Sequence, residues 1–173
     1  MNKTLLSTAL VAVMAATAFA PTAQAAGGTI TVTGKVLTDT CVVSVNGGST
    51  VVLPTVMSSS LNTVGAVAGA TSFTVGLTGC DTNTTSATMA FSGSNINAST
   101  GNLNNTAASG SNVQVQLLNG ASVINTNNNT NAPVIAVASG TGSASLKAQY
   151  IAATAAATAG LVSTTVNFTL NYL

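Results

Sequence analysis

The chain closes on Gly160-Leu-Val-Ser-Thr-Thr-Val-Asn-Phe-Thr-Leu-Asn-Tyr-Leu173. Within it Val166, Phe168, Leu170 and Tyr172 alternate with Asn167, Thr169 and Asn171. Side chains of an extended chain point to opposite faces in turn, so period 2 marks a strand with one buried face. This strand reaches the end of the sequence, and the expectation is that no later segment pairs with its free side. A long apolar edge of that kind is an aggregation hazard unless another chain covers it. The plainer reading is the last strand of a finished sandwich.

At the other end, Lys3 precedes an apolar run from Leu5 to Phe19, and Pro21-Thr-Ala-Gln-Ala25 supplies an Ala-Gln-Ala cleavage pattern. That combination is a secretory signal peptide, read here as residues 1–25 with the cut after Ala25 or Ala26. Cleavage after Ala25 leaves 148 of the 173 residues. No later run is long enough for a spanning helix. No cysteine directly follows the apolar run, and no Leu-Pro-x-Thr-Gly motif occurs, so a lipoprotein or a sortase-linked protein is disfavoured.

Export makes a disulfide permissible. Cys41 and Cys80 are the only cysteines, so a single intramolecular pairing exists. Two free thiols are the alternative, disfavoured in an oxidising compartment.

Lys3, Lys35, Lys147, Asp39 and Asp81 are the only charged side chains, and His, Glu, Arg and Trp are absent. A hydrolytic triad needs a base, usually His. A zinc site needs clustered ligands, and a nucleic-acid surface needs basic residues. The expectation is therefore no catalytic residue, no cofactor, no metal and no nucleic-acid partner. Asp39 and Asp81 read as turn or strand-end residues. Net charge near zero favours association.

Gly27-Gly28 is followed by a second alternating stretch, Thr29-Ile-Thr-Val-Thr-Gly-Lys-Val-Leu-Thr38. Ile30, Val32, Gly34 and Val36 share one face; Thr31, Thr33 and Lys35 share the other. The stretch could be the first strand of the domain's own sheet. It also has what a detachable strand needs: alternate apolar side chains for pockets and a complete backbone for pairing.

Between the two ends, Cys41–Val45, Thr50–Leu53, Phe73–Leu77, Ala87–Phe91, Val113–Leu117, Val134–Ala138 and Leu146–Tyr150 read as short strands. Asn46-Gly-Gly-Ser49, Asp81-Thr-Asn-Thr84 and Asn119-Gly120 read as turns. Residues 58–70 look like a loop or weak strand, 92–111 a polar surface excursion, 125–132 an Asn/Thr loop, and 152–159 a turn region. Many short strands between Gly/Asn/Ser turns indicate an all-β sandwich.

Four segments in order resemble chaperone–usher pilus subunits, the type 1 fimbrial-type pilins of Gram-negative bacteria. They are residues 28–41 into the first cysteine, Phe73-Thr-Val-Gly-Leu-Thr-Gly-Cys-Asp-Thr-Asn83, Leu146-Lys-Ala-Gln-Tyr150, and Gly160 with the penultimate Tyr172. The resemblance implies an incomplete immunoglobulin-like β-sandwich lacking its last strand, with an N-terminal donor-strand extension. It implies an arm at 26–40 and a pilin domain at 41–173. Ile30, Val32, Gly34 and Val36 would enter a neighbour's groove, with Gly34 at the small-residue site where exchange starts. Gly160, Val166, Phe168, Leu170 and Tyr172 would line one edge of the receiving groove. The implied partners are identical or related pilin subunits, a periplasmic chaperone and an outer-membrane usher. The implied destination is an extracellular fimbrium reached through the periplasm. A minor or adaptor subunit, or a tip adhesin binding host glycans, is the alternative function; a secreted enzyme is disfavoured by the missing acid–base residues.

Overall fold

The structure, a computed structural model, describes residues 31–37 and 40–173. The signal segment 1–25, Ile30 and Asp39 lie outside the described residues. The chain divides into two units, Met1–Lys35 and Val36–Leu173.

The larger unit is built of antiparallel strands. They are β1 (Val42–Val45), β2 (Val67–Thr78), β3 (Ser86–Ser92), β4 (Leu103–Asn104), β5 (Gln114–Asn119), β6 (Ser122–Val123), β7 (Val134–Ala138), β8 (Thr141–Ile151) and β9 (Asn167–Tyr172). The sheet runs β1-β2-β8-β7-β3-β9, and β5 also pairs with β8 while carrying β4 and β6 on itself. Alternation explains the core. Phe73, Val75 and Leu77 of β2, Met89 and Phe91 of β3, Leu117 of β5, Ile135 of β7 and Leu146 of β8 gather in one buried cluster. The sheet therefore curls over itself as an all-β sandwich, and its path begins at β1 and ends at β9.

The turns follow their residues. Asn46 (φ 51°) and Gly47 (φ 72°) close a two-residue hairpin, with Val45 and Gly48 exchanging backbone hydrogen bonds of 2.9 and 2.8 Å. Positive φ at both central positions is what Asn-Gly tolerates best. Asp81 caps its own turn, its Oδ1 accepting from the Asn83 amide at 2.7 Å.

Some expectations fail in detail. Thr50–Leu53 forms no strand, although Val51 and Leu53 are half-buried and Val52 is 78 % exposed. Alternation decides which faces are buried; a strand also needs a partner backbone, and this segment has none within the sheet. Ser58–Leu61 is a 3-10 turn with Leu61 buried, and 67–70 joins β2. The excursion 92–111 is not all surface: it contains β4, and Asn102 and Leu103 are buried. β5 is buried on both faces, because Gln114 and Gln116 bond amides of that excursion. In the 125–132 loop Thr126 is buried and donates to the Gly101 carbonyl at 2.8 Å.

Cys41 and Cys80 are bonded, S–S 2.06 Å, joining the entry of β1 to the exit of β2. Closing a loop of about 40 residues is worth about 4 kcal/mol when the unfolded chain is the state constrained. Cys41→Ala is expected to lower the urea midpoint by that measure and to reduce subunit yield. Mass spectrometry of the native protein should find no free thiol; two alkylatable cysteines would contradict the pairing.

Candidate functional site

β9 pairs with β3 from Ala87↔Tyr172 to Ser92↔Asn167, and with no second strand among the described residues. The Leu173 amide donates to the Ser86 carbonyl at 2.9 Å, so odd-numbered residues turn their backbone groups toward β3. Alternation then sends the backbone groups of even-numbered residues to the open side. The same even-numbered residues carry the inward side chains. Phe168, Leu170 and Tyr172 are only half-buried, although they pack against the core. A sandwich closed on both sides would bury them fully.

What lies open is a cleft of about 520 Å³. One flank is 162–168, with Val162, Val166 and Phe168 lining it; the other is Ser49–Leu53. The floor is the core itself, including Val75, Met89, Phe91, Leu117 and Leu146. Phe91 and Phe168 sit opposite in register, ring centroids 6.5 Å apart and tilted at 55°. A second cavity of about 500 Å³ involves Val56, Leu61, Val113 and Gly160. Tyr150 and Val162 line both cavities, so the two read as one elongated trough. Burial raises the Tyr150 phenol above its ordinary pKa, so it is a neutral hydroxyl at physiological pH. The Thr164 hydroxyl, buried and without a hydrogen-bond partner, also lies in the cleft wall.

The expected edge residues fall in three places. Val166 and Phe168 line the first cavity and Gly160 the second. Leu170 and Tyr172 pack on the core beyond the cleft, and the Tyr172 hydroxyl accepts from the Cys41 amide at 3.3 Å. Gly160 is there for space. A Cβ on it would run into the Ser111 amide and lie 2.6 Å from the Gly110 carbonyl carbon. The flank Ser49–Leu53 was missed as a site by sequence reasoning. Its signal, Val51 and Leu53 alternating before Pro54, reads equally well as an inner strand.

Of the expected arm residues, Ile30 lies outside the described residues. Val32 is 87 % and Val36 95 % exposed, and residues 31–37 carry no helix or strand. A Cβ on Gly34 would meet nothing within 4 Å. Among the described residues no three His, Cys, Asp or Glu side chains group to hold a metal, and no helix is long and apolar enough to cross a membrane.

An immunoglobulin-like sandwich with one strand's place open, and an apolar trough along that place, is the architecture of pilus subunits. The sequence profile of fimbrial proteins matches residues 30–173, and the chain belongs to that family. It is 41 % identical over 169 residues to the major fimbrial subunit SMF-1 of Stenotrophomonas maltophilia, covering 87 % of this chain and 95 % of that protein. It is 42 % identical over 157 residues to the F17 fimbrial protein of Escherichia coli, covering 84 % and 87 %. Its fold is similar to the crystal structure of the P pilus rod subunit PapA, with a TM-score of 0.63 at 18 % identity, covering 78 % of this chain and all of the other. The chain is a structural fimbrial subunit, exported through the periplasm and carried in extracellular fimbriae with related subunits.

Proposed function

We propose that the subunit polymerises by strand donation. Residues 26–40 form an arm, and the apolar face Ile30, Val32, Gly34 and Val36 enters the trough of the next subunit in the domain 41–173. One observation carries this reading: among the described residues β9 pairs on one side alone, and its inward Phe168, with Val162 and Val166 just before it, lines an open apolar cleft. The arm has the complementary pattern, with Val32 and Val36 in solvent. An added strand completes the backbone pairing of the open edge and covers the apolar floor together. Before assembly the same edge needs cover, and a periplasmic chaperone lending a strand supplies it; an outer-membrane usher then directs the exchange. Giving one arm and receiving one is a heterologous contact, and repeated it builds an open filament.

Similarity along most of the chain to a protein named as a major fimbrial subunit supports a place in the rod. The role is mechanical: the chain has no His, Glu or Arg to serve as base or electrophile.

The test is a cross-link. Cysteines at Val32 and at Val166 are expected to form disulfides between neighbouring subunits of assembled fibres, seen as a ladder on non-reducing gels. Bonds found only within single chains would defeat strand donation.

A further inference from the structure

We infer that Asn105 is the positioning residue of the receiving trough: its side-chain amide takes the place of a neighbouring strand's peptide group and holds residues 161–165 as an open flank. This rests on the strand-donation reading and adds what keeps the trough in shape before and during joining.

The need arises where β3 stops. β3 supports β9 only back to Asn167, opposite Ser92. Residues 162–166 belong to no strand, yet they form the cleft wall. They keep the strand's rhythm all the same, with 162, 164 and 166 half-buried and 161, 163 and 165 exposed. No ladder runs along that extended backbone: its one bridge joins Leu161 to Gly110, where the Ser111 amide donates to the Leu161 carbonyl at 3.1 Å, so the stretch beyond it needs other partners.

Asn105 does so from the excursion 92–111. Its Oδ1 accepts from the Ser163 amide at 2.8 Å, and its Nδ2 donates to the Leu161 carbonyl at 2.7 Å. In a parallel ladder one residue's N–H and C=O bond to two residues spaced two apart on the adjacent strand. The Asn105 amide reproduces that pattern opposite Val162. Its remaining capacity ties it to its own excursion: Oδ1 also accepts from the Ala107 amide at 3.1 Å, and Nδ2 also donates to the Ser111 carbonyl at 2.8 Å. Thr106 and Asn95 extend the contact along the same side. The Thr106 amide donates to the Ser163 carbonyl at 2.8 Å, and Asn95 Nδ2 donates to the Thr165 carbonyl at 3.1 Å.

The consequence is directional. The Leu161 carbonyl, both backbone groups of Ser163 and the Thr165 carbonyl are taken by the excursion, so alternation turns those of 162, 164 and 166 the other way, toward the side where an incoming strand needs partners. The excursion is itself fastened to the sheet. Gln114 Oε1 of β5 accepts from the Thr100 hydroxyl at 2.8 Å and Asn102 Nδ2 at 3.2 Å, and Gln114 Nε2 donates to Asn104 Oδ1 at 3.1 Å. An amide serves here because it offers an acceptor and a donor in one rigid plane.

The experiment compares wild type with Asn105→Ala in the full chain. Amide hydrogen exchange of the folded subunit is read residue by residue, and fibre formed per folded subunit is measured beside it. Asn105→Ala is expected to speed exchange at Ser163 at least tenfold and to cut fibre per folded subunit at least tenfold, with β2 and β8 protection unchanged. Unchanged Ser163 exchange, or wild-type fibre, overturns the proposal. So does equal loss of protection in β2, β8 and Ser163, which would mark an ordinary stabilising residue. If Asn105→Ala does not fold, Asn95→Ala decides. It is expected to lower fibre several-fold with β2 and β8 intact, and wild-type assembly by that variant overturns the proposal. Strand donation is judged separately by the Val32–Val166 cross-link in wild-type fibres: its presence beside a silent Asn105→Ala sinks this inference alone, and its absence sinks both.

Discussion

A chain lacking residues 26–37 is expected to fold, to accept a neighbour's arm, and to end the fibre it joins. Among the described residues the buried core of the sandwich is drawn from residue 41 onward, and β1 begins at Val42. Val32 and Val36 are in solvent. Their removal therefore leaves the Cys41–Cys80 bond and the strand order untouched. It removes the element that fills the next trough. Expressed alone, the truncated chain should produce at least tenfold less fibre than wild type. Mixed with wild type, it should shorten fibres in proportion to its share, since each heterologous chain needs a donor at every joint. Electron microscopy of fibre lengths against the ratio of the two chains checks this. Fibres of normal length at equal expression would show that the joint lies elsewhere.

The second large effect is expected from Phe168→Asp. Phe168 faces Phe91 across the β3–β9 pair and lines the cleft. An aromatic pair of that geometry contributes on the order of 1 kcal/mol beyond its buried area. Its loss is the smaller part. An ionised carboxylate covered by an incoming strand costs several kcal/mol unless it finds a partner, and the cleft lining offers Ser and Thr hydroxyls but no cation. The penalty falls mainly on the joined state, because Phe168 is half-exposed in the open trough. Fibre should be lost almost completely, with subunit degraded or retained in the periplasm. Phe168→Leu, which keeps an apolar filling, should assemble at a reduced level. Immunoblots of periplasm and of sheared fibres separate these outcomes; normal fibre from Phe168→Asp would remove Phe168 from the groove.

Much of the architecture was legible in local patterns. Period-2 alternation at 73–77, 87–91, 113–117, 134–138, 146–150 and 166–172 located strands of the sheet, because side chains of a strand point to opposite faces in turn whatever it pairs with. Export and a lone cysteine pair anticipated the disulfide. The alternation through Tyr172 pointed to a strand with one buried face, since that pattern requires only the segment's own side chains.

Pairing was not legible in this way, because hydrogen-bond partners come from residues far away in the chain. Thr50–Leu53 alternates like its neighbours, yet it ends in the lining of the cleft, and only the tertiary fold brings it to the same cleft as 162–168. Residues 92–111 read as polar surface from composition. Tertiary packing buries Asn102 and Leu103 and brings the Asn105 amide to Leu161 and Ser163, more than fifty residues on. Polar side chains carry no periodic signal when they bond backbone instead of water, so such a contact leaves no mark in the local sequence. Alternation determined that the last strand would carry an apolar face; only the fold gives it β3 as its one partner among the described residues, and decides how the backbone before it is held.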